Sequence, residues 1–173
     1  MTAYAALLRA VNVGGTGKLA MADLTRLCEQ LGFAGVRTYI QSGNVVFSSD
    51  QPEALVQKQI ETALERQMGK HVDVVVRTAG ELGRLVDSNP FPDAPAAKVA
   101  VALGSRRVTA AAAKEIVTPG EEEVAVAGGE LFIHYPDGMG RSKLTLPKSL
   151  GPLTVRNVNT LTKLRQLAEE LGG

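Results

Sequence analysis

The chain has no tryptophan, and its aromatic share is only 4%. That shortage weakens any reading built on platforms where bases stack on exposed rings. It has a single cysteine, Cys28, which excludes an internal disulfide and any cysteine-based zinc cluster. With two histidines, His71 and His134, no HExxH run and no carboxylate at ligand spacing, no metal site is expected. A formal net charge of +1 gives no global electrostatic case for nucleic acid or an anionic membrane, so any such case must be local. No apolar run approaches the roughly 20 residues of a membrane span, and the N-terminus lacks a basic region ahead of a long apolar stretch. The expected setting is therefore a reducing cytoplasm, away from membranes.

What is present is an ordinary globular composition, 45% apolar and 21% charged over 173 residues. A chain of this length buries roughly 70% of its unfolded surface. Its organising stretch runs from Tyr4 to Phe47. An apolar strand enters a loop holding Gly14, Gly15 and Gly17, three positions open to close backbone approach. An amphipathic helix over Met21 to Leu31 follows, with Met21, Leu24, Leu27, Cys28 and Leu31 on its apolar face and Gly32 at its end. Cys28 on that stripe reads as core. Strands over Val36–Gln41 and Val45–Ser49 meet at Ser42-Gly43-Asn44, a hairpin signal. Ser49 to Glu53 marks a helix start, with a capping residue and a proline in the first turn. That helix carries Val56, Ile60, Leu64 and Met68 at intervals of four, closes at Gly69, and precedes a strand over Val72–Arg77.

The fold class is α+β. The order βαββαβ is the ferredoxin-like, split arrangement: an antiparallel sheet with its helices packed on it. Thr78-Ala-Gly-Glu81 is a capping box opening a short helix. Asn89 to Pro95 then reads as a linker, because proline cannot continue a helix. Beyond it come a strand over Lys98–Leu103, an alanine-rich helix over Thr109–Val117, and strands over Val124–Ala127 and Glu130–Tyr135. A final helix is capped by Asn157 or Asn159. This is a related βαββα half. The expected layout is a ferredoxin-like subdomain over 1–77, a helix and proline-rich linker over 78–95, and a second α+β subdomain over 96–173.

Gly14-Gly15-Thr16-Gly17-Lys18 fails as a Walker loop, which needs glycine where Asn12 stands and a hydroxyl where Leu19 stands. It fails as a dinucleotide fingerprint too, since a third glycine and the βαβ unit are missing. An anion site near a helix start survives, with Lys18 beside it. Arg9, at a strand end, carries a planar fork suited to carboxylate or phosphate. Asn12, Ser42 and Asn44 either bond their own turns or converge on a ligand. The second concentration is Arg141-Ser142-Lys143 with Arg156-Asn157-Val158-Asn159, around the start of the last helix. No GxSxG elbow or assignable Ser-His-Asp set is present, and Glu121-Glu122-Glu123 reads as a solvated run.

Four ordered stretches resemble the signatures of the bacterial family named domain of unknown function 1697. They are Tyr4 to Gly15, Thr38 to Phe47, Tyr135 to Lys143 and Arg156 to Leu164. Two departures stand out: Ala10 where relatives carry glycine, and Val158 in place of a tryptophan. The resemblance implies two related α+β subdomains and no established reaction. No catalytic residue therefore carries over from it, and the cofactor is unknown. Its polar motif residues fall on Arg9, Asn12, Gln41, Ser42, Asn44, Arg141, Ser142, Lys143, Arg156, Asn157, Asn159 and Thr160. The leading expectation is an anion-binding module with a polar, locally basic cleft between the halves. Its ligand would be a small phosphorylated or carboxylated metabolite, or single-stranded nucleic acid. Arg9, Lys18, Arg141, Lys143 and Arg156 would supply charge; Asn12, Ser42, Asn44, Ser142, Asn157 and Asn159 would orient the ligand. The alternatives are a transferase or hydrolase using Ser42 or Ser142, and a protein-interaction module.

Overall fold

The computed structural model describes residues 1–12, 17–40, 42–104 and 106–172. Gly14, Gly15 and Gln41, singled out above, lie outside them. The chain divides into two compact units, one of Met1–Leu82 with Lys163–Gly173 and the other of Gly83–Thr162.

The first unit is built on β1 (Thr2–Leu8), whose residues from Ala3 onward are all buried. A strand apolar on both faces belongs in the middle of a sheet. The order is β2 (Ala34–Tyr39), β3 (Asn44–Ser49), β1, β4 (Val74–Thr78), with every pairing antiparallel. This is the split order expected from the sequence. Two helices, α1 (Met21–Gln30) and α2 (Glu53–Met68), bury Leu24, Leu27 and Cys28 and Val56, Ile60 and Leu64. These stripes close over Phe47, on which Phe33 stacks at 4.3 Å between ring centroids. Each fully buried Leu, Ile or Phe contributes roughly 1.5–3 kcal/mol. Gly69 ends α2 in the left-handed conformation, φ 71°. The start of α2 differs from expectation. Pro52 is the N-cap residue itself and makes no side-chain cap, while Ser49 Oγ accepts from Gln51 N at 3.1 Å in a turn ahead of the helix.

The helix α3 (Ala79–Asp87) follows β4 directly, through the expected capping box. Thr78 N donates to Glu81 Oε1 at 3.0 Å and Glu81 N to Thr78 Oγ1 at 3.1 Å. In the second unit Asn89 Oδ1 accepts from Phe91 N at 2.9 Å, which shapes the proline-rich stretch into turns leading to β5 (Val99–Leu103). Then come α4 (Ala110–Lys114), β6 (Glu123–Ala127) and β7 (Glu130–His134). The helix α4 ends at Lys114 with Glu115 as its C-cap, short of the expected Val117. A strand not read from the sequence, β8 (Thr154–Asn157), pairs with β5 and runs straight into α5 (Val158–Glu170). The second sheet is ordered β6-β7-β5-β8 and is antiparallel throughout, matching β2-β3-β1-β4 strand for strand. Where the first unit has α2, the second has a loop with 3-10 turns at Met139–Arg141 and Lys148–Leu150. Pro136, Gly138, Gly140, Pro147 and Gly151 keep a longer helix from forming there. Among the described residues no helix is long and apolar enough to cross a membrane.

Candidate functional site

In the first unit the turn after β1 and the β2–β3 hairpin adjoin. Leu8 N donates to Gly43 O at 2.8 Å, and a Cβ on Gly43 would stand 2.6 Å from Val11 Cγ2, so only glycine fits at this contact. The side chain of Asn12 grips the peptide of Leu19 from both sides: Nδ2 donates to Leu19 O at 2.8 Å, and Oδ1 accepts from Leu19 N at 2.7 Å. Asn44 is fully buried, and its Nδ2 donates to Tyr39 O at 3.1 Å and to Ser42 Oγ at 2.9 Å. These bonds shape the turns. Arg9 and Lys18 are exposed, and Arg9 N donates to Asp73 O at 3.0 Å. Ala10, Asn12 and Ile40 all take positive φ, near 57°, 57° and 51°, concentrating backbone strain on these turns.

In the second unit Arg141, Ser142 and Lys143 line one pocket of about 210 Å³ with Pro119–Glu122 and Tyr135–Gly138. The lining includes Pro119, Gly120, Pro136 and Gly138. Ser142 Oγ donates to Glu122 Oε1 at 2.6 Å and accepts from Leu144 N at 3.1 Å. Gly120 N donates to Glu122 Oε2 at 2.8 Å. Accepting these bonds, Ser142's first, holds the Glu122 carboxyl below the usual range and so ionised. Glu122 thus has fixed partners, although the sequence reads it as one of a solvated run. The phenol of Tyr135 is pushed up by burial and by the Glu122 carboxylate.

Arg156, Asn157 and Asn159 are not among the residues lining this pocket. Arg156 Nη1 donates to Val155 O at 3.0 Å, and desolvation lowers the guanidinium to about 10. Asn157 Oδ1 accepts from Thr160 N at 2.8 Å and is the cap of α5; Asn159 is exposed on the first turn. Sequence reasoning missed Gly120, Glu122, Tyr135 and Asp137 as pocket residues. Tyr135 and Asp137 lie in a stretch already noted for its resemblance, while nothing in the 119–122 run marks it as their neighbour. The described residues also include one group able to share a cation, Glu61, His71 and Asp73, in the first unit.

A search of curated proteins finds no match. Among solved structures the fold is similar to the conserved bacterial protein SP0830 from Streptococcus pneumoniae, with a TM-score of 0.76 at 22% identity over 96% of this chain and 98% of that one. At that identity the likeness speaks for the fold. The family model described as protein of unknown function, DUF1697, matches residues 1–132, and the chain belongs to that family.

Proposed function

We propose that the protein is a binding module for a small metabolite bearing a carboxylate or phosphate, seated in the pocket of the second unit. The observation that supports it is the pocket lining, which brings Arg141, Lys143 and Ser142 together with the Pro119–Glu122 turn. Arg141 offers a planar fork and Lys143 a point charge, the usual pair for such groups. The same lining carries Glu121, Glu122 and Asp137. Three carboxylates against two cations repel a polyanion, which argues against nucleic acid. Tyr135 is buried and offers no stacking face. The ligand therefore pairs its anionic group with an ammonium or hydroxyl donor. A volume below the roughly 300–1,000 Å³ of drug-sized sites suits one small molecule.

The transferase or hydrolase alternative gains a carboxylate within reach of Ser142. A carboxylate held below its usual range is a feeble base for a serine hydroxyl, so binding is the better reading. A thermal-shift and calorimetric screen of phosphate, sugar phosphates, hydroxy acids and amino acids tests it. A ligand at 100 times its Kd stabilises by about 2.7 kcal/mol, a shift of several degrees. The shift should vanish in Arg141→Ala and persist in Lys148→Ala, which lies outside the pocket. A screen in which no compound shifts the melt, or a shift that survives Arg141→Ala, overturns the reading.

A further inference from the structure

Glu61 lies on α2, and His71 and Asp73 lie on the connection from α2 to β4. One ligand atom from each, a carboxylate oxygen or a ring nitrogen, stands within 4.8 Å of the other two. His71 Nε2 is 2.9 Å from Asp73 Oδ1. Two adjacent ligands of an octahedral ion, each about 2.1 Å from it, are about 3 Å apart. The His–Asp pair already has that spacing.

One backbone bond holds the Glu61 carboxylate, and another fixes the main chain at Asp73. Val74 N donates to Glu61 Oε2 at 3.1 Å, turning the helix carboxylate toward the loop. Arg9 N donates to Asp73 O at 3.0 Å, tying the ligand-bearing turn to the end of β1. A bond such as that from Val74 N to the Glu61 carboxylate orients a metal ligand. The side chains of His71 and Asp73 remain 55% and 35% exposed, which leaves an entry path and room for coordinated water. An exposed His–Asp ion pair contributes at most about 1 kcal/mol and accounts for two of the three groups.

We propose that Glu61, His71 and Asp73 bind one divalent transition-metal ion of the Zn²⁺ or Mn²⁺ type, with water completing its shell. The imidazole selects such ions over Ca²⁺ and Mg²⁺, which prefer all-oxygen sites. This site shares no residue with the pocket of the second unit and does not rest on the reading of that pocket.

The test is calorimetric titration of chelator-stripped, full-length protein with Zn²⁺, Mn²⁺ and Ca²⁺. It is repeated on His71→Gln, Glu61→Gln and, as a control, His134→Gln, which alters the other histidine. One equivalent of Zn²⁺ or Mn²⁺ should bind, about tenfold or more weaker in His71→Gln and Glu61→Gln and unchanged in His134→Gln. Melting curves without metal separate lost ligation from lost fold. Should Glu61→Gln melt early through loss of its bond to Val74, the exposed His71→Gln carries the test. No saturable binding, Zn²⁺ affinity unchanged in His71→Gln, or Ca²⁺ bound as tightly as Zn²⁺ would each overturn the proposal.

Discussion

At the scale of single residues, the strain on the first-unit turns is open to direct measurement. Ala10 has φ near 57°, and the family resemblance places glycine there. A left-handed non-glycine residue costs about 1–2 kcal/mol. Glycine returns part of that as unfolded-state entropy, about 0.5–1 kcal/mol. Ala10→Gly should therefore stabilise by roughly 0.5–1 kcal/mol, seen as a higher urea midpoint at unchanged slope. Ile40, β-branched and 49% exposed at φ 51°, should gain at least as much on replacement by glycine. Cys28 makes a different prediction. Burial first, and then the neighbouring Glu29 charge, push its thiol up to about 12, and the side chain is fully covered by the core. A thiol reagent at mildly alkaline pH should label it only as fast as the native state opens. Labelling on mixing would mean that α1 detaches locally. The core role of Cys28 was legible because one apolar stripe carries the information; the strain was not, since φ at Ala10 and Ile40 depends on the turns they join.

At the scale of elements, local signals were readable and paired ones were not. Gly69 and the Thr78–Glu81 box could be named from the sequence because a cap involves residues within one turn. The strand β8 is only four residues, Thr-Val-Arg-Asn, and exists through its pairing with β5. The pocket likewise joins turns 20 residues apart through Ser142 and Glu122, a contact that follows from the sheet and not from spacing. The choice between Asn157 and Asn159 is now settled by geometry. Asn157→Ala should cost about 1 kcal/mol and Asn159→Ala almost nothing. A second test concerns the start of α2. Glu53 is raised from 4.5 to about 7 by desolvation, then by its hydrogen bond to Glu81 and by that carboxylate's charge, against the lowering effect of Arg77. Glu81 is lowered: desolvation raises it, but its bonds to Thr78 and Glu53 and the Arg77 charge outweigh that. A folded-state carboxyl raised above its unfolded value contributes stability in full below that unfolded value and loses it as pH rises through the folded one. The Glu53 contribution thus declines from about pH 4.5 to about 7. The lowered Glu81 acts oppositely, and its contribution is lost only in more acid solution. Urea midpoints against pH should fall across the Glu53 window in the wild type and flatten in Glu53→Gln. An unchanged slope would count against a shared proton.

At the scale of the molecule, the two sheets repeat one order, and the end of each sheet repeats a detail. Arg77 Nη1 donates to Val76 O and Arg156 Nη1 to Val155 O, both at 3.0 Å, just before a capping residue that starts a helix. The duplicated layout was legible as a sequence of elements, whereas this correspondence between Arg-Thr and Arg-Asn was too short to see. The units nonetheless differ in how they close. The first is discontinuous, since Lys163–Gly173 belongs to it. That segment buries Leu164, Leu167 and Ala168, pairs Glu170 with Arg37 at 2.8 Å, and lays Leu171 against Gly35 of β2. The last two contacts fall on the edge strand, whose burial is otherwise slight. Removing residues 163–173 should therefore loosen the first unit and leave the second sheet intact. Hydrogen exchange can separate them: amides of Ala34–Tyr39 should lose protection in the truncated chain while those of Val99–Leu103 keep theirs. The exposed Arg37–Glu170 pair contributes little, so Glu170→Gln should leave exchange in β2 nearly unchanged. Leu167 is buried, and Leu167→Ala should lower the urea midpoint at a cost of about 2–5 kcal/mol. Equal loss of protection in both sheets would show instead that the units unfold as one.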